Sequence, residues 1–295
     1  MAVPKGLEPT GVILVDKPAG PSSFAVLAGV RRMTGAKTGH AGTLDPFATG
    51  LLLLLSGRAT KMASCFVGLP KRYLADVDLT RRTTTGDPEG EALAEREPPE
   101  RDALEALLVD LRGDVELPIP SASAVKIGGE RAYRLHRKGI AVTMPVRRSR
   151  IDALDVIAYA DGIATLDATV SSGTYIRSIA DTLGGHCAAL RRTEVGPFGV
   201  AEADADRVLP LEEVLGRIGM TLSDARTDRL ARADADRRRA ASVASATDAR
   251  GGPGGQAADR GVASGAGERQ RGAEAAAGSA SVRVSGRPDG TEGED

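Results

Sequence analysis

The densest run of reactive and turn-forming residues in the chain is Gly39-His40-Ala41-Gly42-Thr43-Leu44-Asp45-Pro46, with Thr49-Gly50 just beyond. Glycines spaced this closely bring the backbone into tight turns or close to a ligand. A carboxylate held on such a turn, Asp45, can serve as a nucleophile, as carboxylates do in glycosyl chemistry. The same Asp-Pro pair also fits a helix cap with proline in the first turn. Both readings stand at this level. A second group, Ser171-Ser172-Gly173-Thr174-Tyr175-Ile176-Arg177, opens a helix. There Tyr175 and Arg177 could reach a carboxylate or an aromatic base, or Thr174 could simply cap while Arg177 stays solvated. A third, Lys71-Arg72-Tyr73, could stack a base on tyrosine while the cations hold phosphate. Its alternative is a tyrosine that packs in the core or at its rim. Ala36-Lys37-Thr38 ends like a phosphate-binding loop, but the two glycines that motif requires are replaced by Ala36 and Arg31.

These candidates need a scaffold, and the apolar pattern supplies one. Gly11–Val15 and Leu51–Leu55 read as buried strands, and Tyr73–Leu79 alternates like a half-buried one. Ser22 and Ser23 precede Phe24, Val26, Leu27 and Val30, with Gly35 behind, which predicts a capped amphipathic helix with a glycine stop. Arg58–Val67 reads as helical. Further strands are expected at Ile151–Tyr159, Ile163–Ser171 and Ala188–Val195, and short helices at Thr174–Leu183 and Pro210–Gly219. Without a strict βαβ rhythm, this mixture predicts an α+β fold.

Charge is divided unevenly. Residues 87–116 carry 11 acidic side chains against three arginines, whereas residues 121–150 carry eight basic ones against Glu130 alone. A basic block inside a nearly neutral chain favours a polyanion. From 231 to 295 the chain has no Leu, Ile, Met, Phe or Tyr, and its ten arginines meet ten carboxylates. Such a segment cannot bury enough surface to offset its chain entropy. The longest apolar run falls far short of the ~20 residues of a membrane helix. The amino terminus lacks a secretory signal pattern, so a cytoplasmic protein is expected. Cys65 and Cys187, with His40, His136 and His186, show no zinc-ligand spacing.

In order along the chain, GVILVDKPAGPSS, GHAGTLDPFATGLL, KRYLADVDL, SAVKIGGERAYRLHRKG, SSGTYIRSIADTLG and ALRR resemble the bacterial tRNA pseudouridine synthase B (TruB) family across residues 11–192. The resemblance implies isomerisation of the T-loop uridine conventionally numbered 55. It implies a mixed, largely antiparallel sheet flanked by helices. It puts the nucleophile at Asp45, His40 against the target nucleotide and Tyr73 on the uracil. It places Tyr175 at the site, Arg177 as the partner of Asp45 and Leu190 in the pocket wall. The insertion at 121–150 would grip the tRNA T arm through Lys126, Arg131, Arg134, Arg137, Lys138, Arg147 and Arg148. Isomerisation gains no atom and no electron, so neither cofactor nor metal is implied, and a monomer acting on tRNA is expected. Residues 1–220 would form the catalytic domain. Where family members commonly continue into a PUA-like domain, 221–295 reads as a low-complexity, disordered tail.

Overall fold

The computed structural model describes residues 10–248, with side chains to residue 238. Fourteen strands are described: β1 (Gly11–Lys17), β2 (Thr38–His40), β3 (Thr49–Ser56), β4 (Lys71–Asp78), β5 (Arg81–Thr83), β6 (Ala92–Glu95), β7 (Gly113–Pro118), β8 (Lys126–Ile127), β9 (Glu130–Arg131), β10 (Val146–Ala160), β11 (Ile163–Val170), β12 (His186–Val195), β13 (Phe198–Gly199) and β14 (Asp204–Pro210). The α-helices are α1 (Ser23–Thr34), α2 (Ala63–Val67), α3 (Arg101–Leu111), α4 (Ala132–Arg137), α5 (Ile176–Thr182), α6 (Leu211–Arg217) and α7 (Leu222–Asp248).

One sheet dominates, in the order β14-β1-β3-β12-β4-β11-β10-β7. Its pairings are antiparallel except where β12 meets β3. The leucine run of β3 is buried on both faces, which is why it does not alternate. Leu52 and Leu54 pack with Ile13, Val15, Leu27 and Val30 under α1. Leu51, Leu53 and Leu55 pack on the other face with Phe66, Val214 and Leu215. A further core joins β4, β10 and β11 to α3 and α5 through Leu104, Leu108, Leu166, Ile176 and Ile179. The expected α+β fold is the one observed.

Local expectations fare differently. Ser22 caps α1 by accepting from the Ala25 N–H at 3.2 Å, and Gly35 ends the helix at φ 65°. Phe24, however, is 72% exposed and belongs to no core. No helix starts at Pro46, so Asp45 is not a cap. The helix expected from Thr174 starts at Ile176, and the Thr174 hydroxyl instead meets Ser171 Oγ at 3.2 Å. The boundary expected at residue 220 also moves. Ala225 is buried and Ser64 donates to Asp228 at 3.0 Å, so packed chain continues into α7. One compact unit runs to Arg229 and another begins at Leu230; α7 is helical to Asp248, and 249–295 lie outside the described residues. No helix among the described residues is long and apolar enough to cross a membrane.

Candidate active site

Asp45 lies on the connection between β2 and β3, and three buried side chains fix that turn. Ser23, first residue of α1, exchanges two 2.8 Å hydrogen bonds with the backbone of Leu44. Lys17, fully buried at the end of β1, donates to the carbonyls of Pro46 at 3.0 Å and Ala48 at 2.7 Å. Arg192 on β12 donates to the carbonyls of Gly42 at 3.2 Å and Leu51 at 2.7 Å. Gly42 needs its glycine, since its φ is +97°. The turn therefore presents one carboxylate from a rigid frame.

That carboxylate meets Arg177. Arg177 Nε lies 2.9 Å from Asp45 Oδ2, and the guanidinium is 2% exposed. Its Nη1 lies 3.0 Å from Asp87 Oδ2 and donates to the Thr85 carbonyl at 2.9 Å. Its Nη2 donates to the Ala122 carbonyl at 3.0 Å, at the base of the basic insertion. Arg177 is thus not solvated. Burial pushes the Asp45 carboxyl above the ordinary carboxylate range, while the Arg177 guanidinium pulls it back.

Asp45, Tyr73, Tyr175, Arg177 and Leu190 line one pocket of about 190 Å³. Strand alternation puts Lys71 and Tyr73 on the inward face of β4 and Leu190 and Arg192 inward on β12. Arg72 turns to the other face, where Asp167 at 2.6 Å and Glu194 at 3.1 Å neutralise it, so only one of the two cations beside Tyr73 serves the pocket. His40 sits on β2, outside the lining residues, with its pKa lowered by burial and by Arg192. Arg147 joins the rim: it lies 5.9 Å from the Tyr175 ring centre and donates to Gly173 O at 3.0 Å. Lys126, Arg131, Arg134, Arg137, Lys138 and Arg148 are exposed on or beside the small β8–β9 and α4 insertion. Of these, Lys138 is tied to Glu130 at 2.7 Å and Arg148 faces Glu116 at 3.7 Å.

Asp87, Lys17 and Arg192 have no counterpart in the site expected from sequence. In the sequence Asp87 is only one charge of the acidic stretch. The signal for it was the turn Thr85-Gly86-Asp87-Pro88, which resembles the Asp45 turn in composition. Lys17 and Arg192 lie inside the GVILVDKPAGPSS and ALRR blocks, where the resemblance gives neither of them a role.

A carboxylate fixed on a glycine turn, paired with a buried guanidinium and walled by two tyrosines, forms one pocket on a mixed α/β sheet. Residues 31–176 match the model of the TruB family pseudouridylate synthase N-terminal domain. The tRNA pseudouridine synthase B of Mycobacterium sp. strain KMS is 44% identical over 208 residues, covering 65% of this chain and 69% of that protein. The protein of the same name from Mycobacterium tuberculosis H37Rv is 39% identical over 227 residues, covering 72% and 74%. A chain in the crystal structure of a Cbf5-Nop10-Gar1 complex superposes with a TM-score of 0.51 at 26% identity, covering 65% of this chain and half of that one. The chain belongs to the TruB family of pseudouridylate synthases.

Proposed function

We propose that this chain converts uridine to pseudouridine in tRNA, at the T-loop position conventionally numbered 55, with Asp45 as nucleophile. The observation that carries this reading is the 2.9 Å contact between Arg177 and Asp45 inside a pocket walled by Tyr73 and Tyr175. Pseudouridine formation breaks the N1–C1′ bond, turns the uracil, joins C5 to C1′ and releases the C5 proton. The reaction needs one ionised carboxylate, and the Arg177 charge beside it favours that form. It also needs a wall on which a free base can rotate, and an aromatic ring holds a base with little preference in the plane. A loop uridine must be flipped out to enter. The catalytic domain is residues 1–220 together with the start of α7, and the 121–150 insertion lies along the T-arm backbone. The enzyme works as a cytoplasmic monomer on tRNA alone.

The test is tritium release from C5-labelled uridine in full tRNA transcripts, in isolated T-arm hairpins and in unrelated stem-loops. Release from the first two alone is expected. Release from every stem-loop, or from none, overturns the reading. Sedimentation at assay concentration checks the monomer.

A further inference from the structure

Two cations in the Asp45 pocket have no part in the chemistry so far. Lys71 and Arg192 are 5% and 1% exposed. Lys71 stands two residues before Tyr73 on the inward face of β4, and Arg192 pairs with Tyr73 across the β4–β12 ladder. Both line the pocket. They converge above Gly42, where an added Cβ would lie 3.8 Å from Arg192 Nη1 and 4.0 Å from Lys71 Cε. The wall behind the tyrosine therefore carries two positive charges side by side.

Those charges are not neutralised by the protein. Lys71 donates to Val67 O at 2.6 Å, to Leu69 O and to Ser172 Oγ at 3.2 Å. Arg192 donates to Leu51 O, Thr43 O and Gly42 O. Among the described residues neither has a carboxylate within ion-pair distance, whereas Arg177 in the same pocket has two. A buried cation without a counter-charge is costly to fold, and mooring a turn requires donors but no charge. Burial first, and the neighbouring Arg192 second, bring the Lys71 ammonium down to about 8, a penalty on its charge that an incoming anion would relieve.

Resting on the uridine-isomerising reading above, we propose that Lys71 and Arg192 form a cationic wall that stabilises the negative charge left on uracil when the N1–C1′ bond breaks. In that step the bonding pair passes to the base and spreads over N1, O2 and O4. The Asp45 carboxylate holds C1′ meanwhile; the pair returns when C5 bonds C1′ and frees that carboxylate, the C5 proton passes to solvent and N1 takes one up, so no electron is gained or lost. Both cations are buried and held by fixed acceptors, so they need little reorganisation as the charge develops. An RNA phosphate is the other source of the same charge, and the test separates the two.

The test uses the full-length enzyme under single turnover on T-arm RNA carrying uridine or 5-fluorouridine at the target. Fluorine stabilises the uracil anion and so lessens dependence on the wall. Lys71→Gln should slow glycosidic rearrangement of uridine at least ~10-fold, the deficit shrinking to ~3-fold or less with 5-fluorouridine. RNA affinity should stay within ~2-fold, and Lys71→Arg should retain most of the rate. A deficit equal on both substrates overturns the proposal. So does a loss in affinity with a salt slope lower by about one, which marks a phosphate contact. Should Lys71→Gln fail to fold, Arg192→Lys and Arg192→Gln carry the contrast: the first keeps the charge with fewer donors and should be the faster. Equal rates for those two make Arg192 a mooring alone and overturn its share. Wild-type enzyme inactive on both RNAs would instead refute the proposed function.

Discussion

The Asp45 turn and the basic insertion solve opposite problems. Around Asp45, buried donors from α1, β1 and β12 hold the backbone on both sides of one carboxylate. In the insertion, two strands of two residues and a six-residue helix carry cations in the open. Chemistry demands placement within a fraction of an ångström, which packing against a sheet provides. Holding phosphates tolerates displacement, because charge acts over several ångströms. On the proposed function, rigidity is concentrated where a bond would be broken, and adaptability where the RNA would be held.

Substitutions should separate the two regions. Asp45→Asn should lower the single-turnover rate at least ~100-fold while leaving the tRNA dissociation constant unchanged. Burial raises the Asp45 pKa in the folded chain, so its ionised form costs stability that is lost as pH rises through that value. The variant should therefore melt no lower than wild type at pH 7. A lower melting temperature would mean that the carboxylate holds the turn together. Arg177→Met should match that rate loss and also cost about 3–5 kcal/mol of unfolding free energy, because it strands the buried Asp87. Denaturant titration measures it, and unchanged stability would remove Arg177 from the frame.

Asp87→Asn tests the pairing more finely. The Asp87 charge helps raise the Asp45 pKa, so its removal should move the acid limb of the rate profile to lower pH. A limb that stays in place would show that the two carboxylates are not coupled. In the insertion, neutralising Arg134, Arg137 and Lys138 together should weaken tRNA binding and lower the salt slope by about two. Two rather than three is expected because Lys138 is already tied to Glu130. Melting temperature and the rate on saturating tRNA should not change, and a fall in either would make the insertion part of the frame. The smallest effect is expected from truncation after Leu230, which should alter neither melting nor rate; a dissociation constant raised ~10-fold, or about 1.4 kcal/mol, would make the tail a binding arm.

The legibility of this molecule follows the same division. Strands such as β3 and β4 and the capped α1 were readable because apolar spacing and cap residues are local signals. The members of the site came from the order of motifs, and the structure gathers Asp45, Tyr73, Tyr175, Arg177 and Leu190 into one pocket. Their supports were not readable. Lys17, Asp87 and Arg192 are charged residues in the interior, and sequence pattern assigns charge to the surface. Each is buried by partners distant in sequence, such as Gly42 for Arg192. The start of α7 is not legible because its surface is polar around most of the helix, and only a narrow stripe of Leu222, Ala225 and Asp228 turns inward.

The pairing of the first strand with the last has a consequence for how the chain is made. Gly11 of β1 lies opposite Pro210 of β14, and β3 meets β12 through Arg191 and Arg192. The leucine-rich strands at the start of the chain can pair with each other, and β2 with the far end of β3, as soon as they emerge from the ribosome, but the outer edge of β1 and the Thr49–Gly50 end of β3 stay open until some 200 residues have been synthesised. Unpaired apolar edges recruit other chains. Nascent chains stalled before β12 should therefore aggregate or engage chaperones, whereas chains released after β14 should not. Arg192 arrives with the strand that closes the gap, so the Asp45 turn gains its last support only when the sheet is whole.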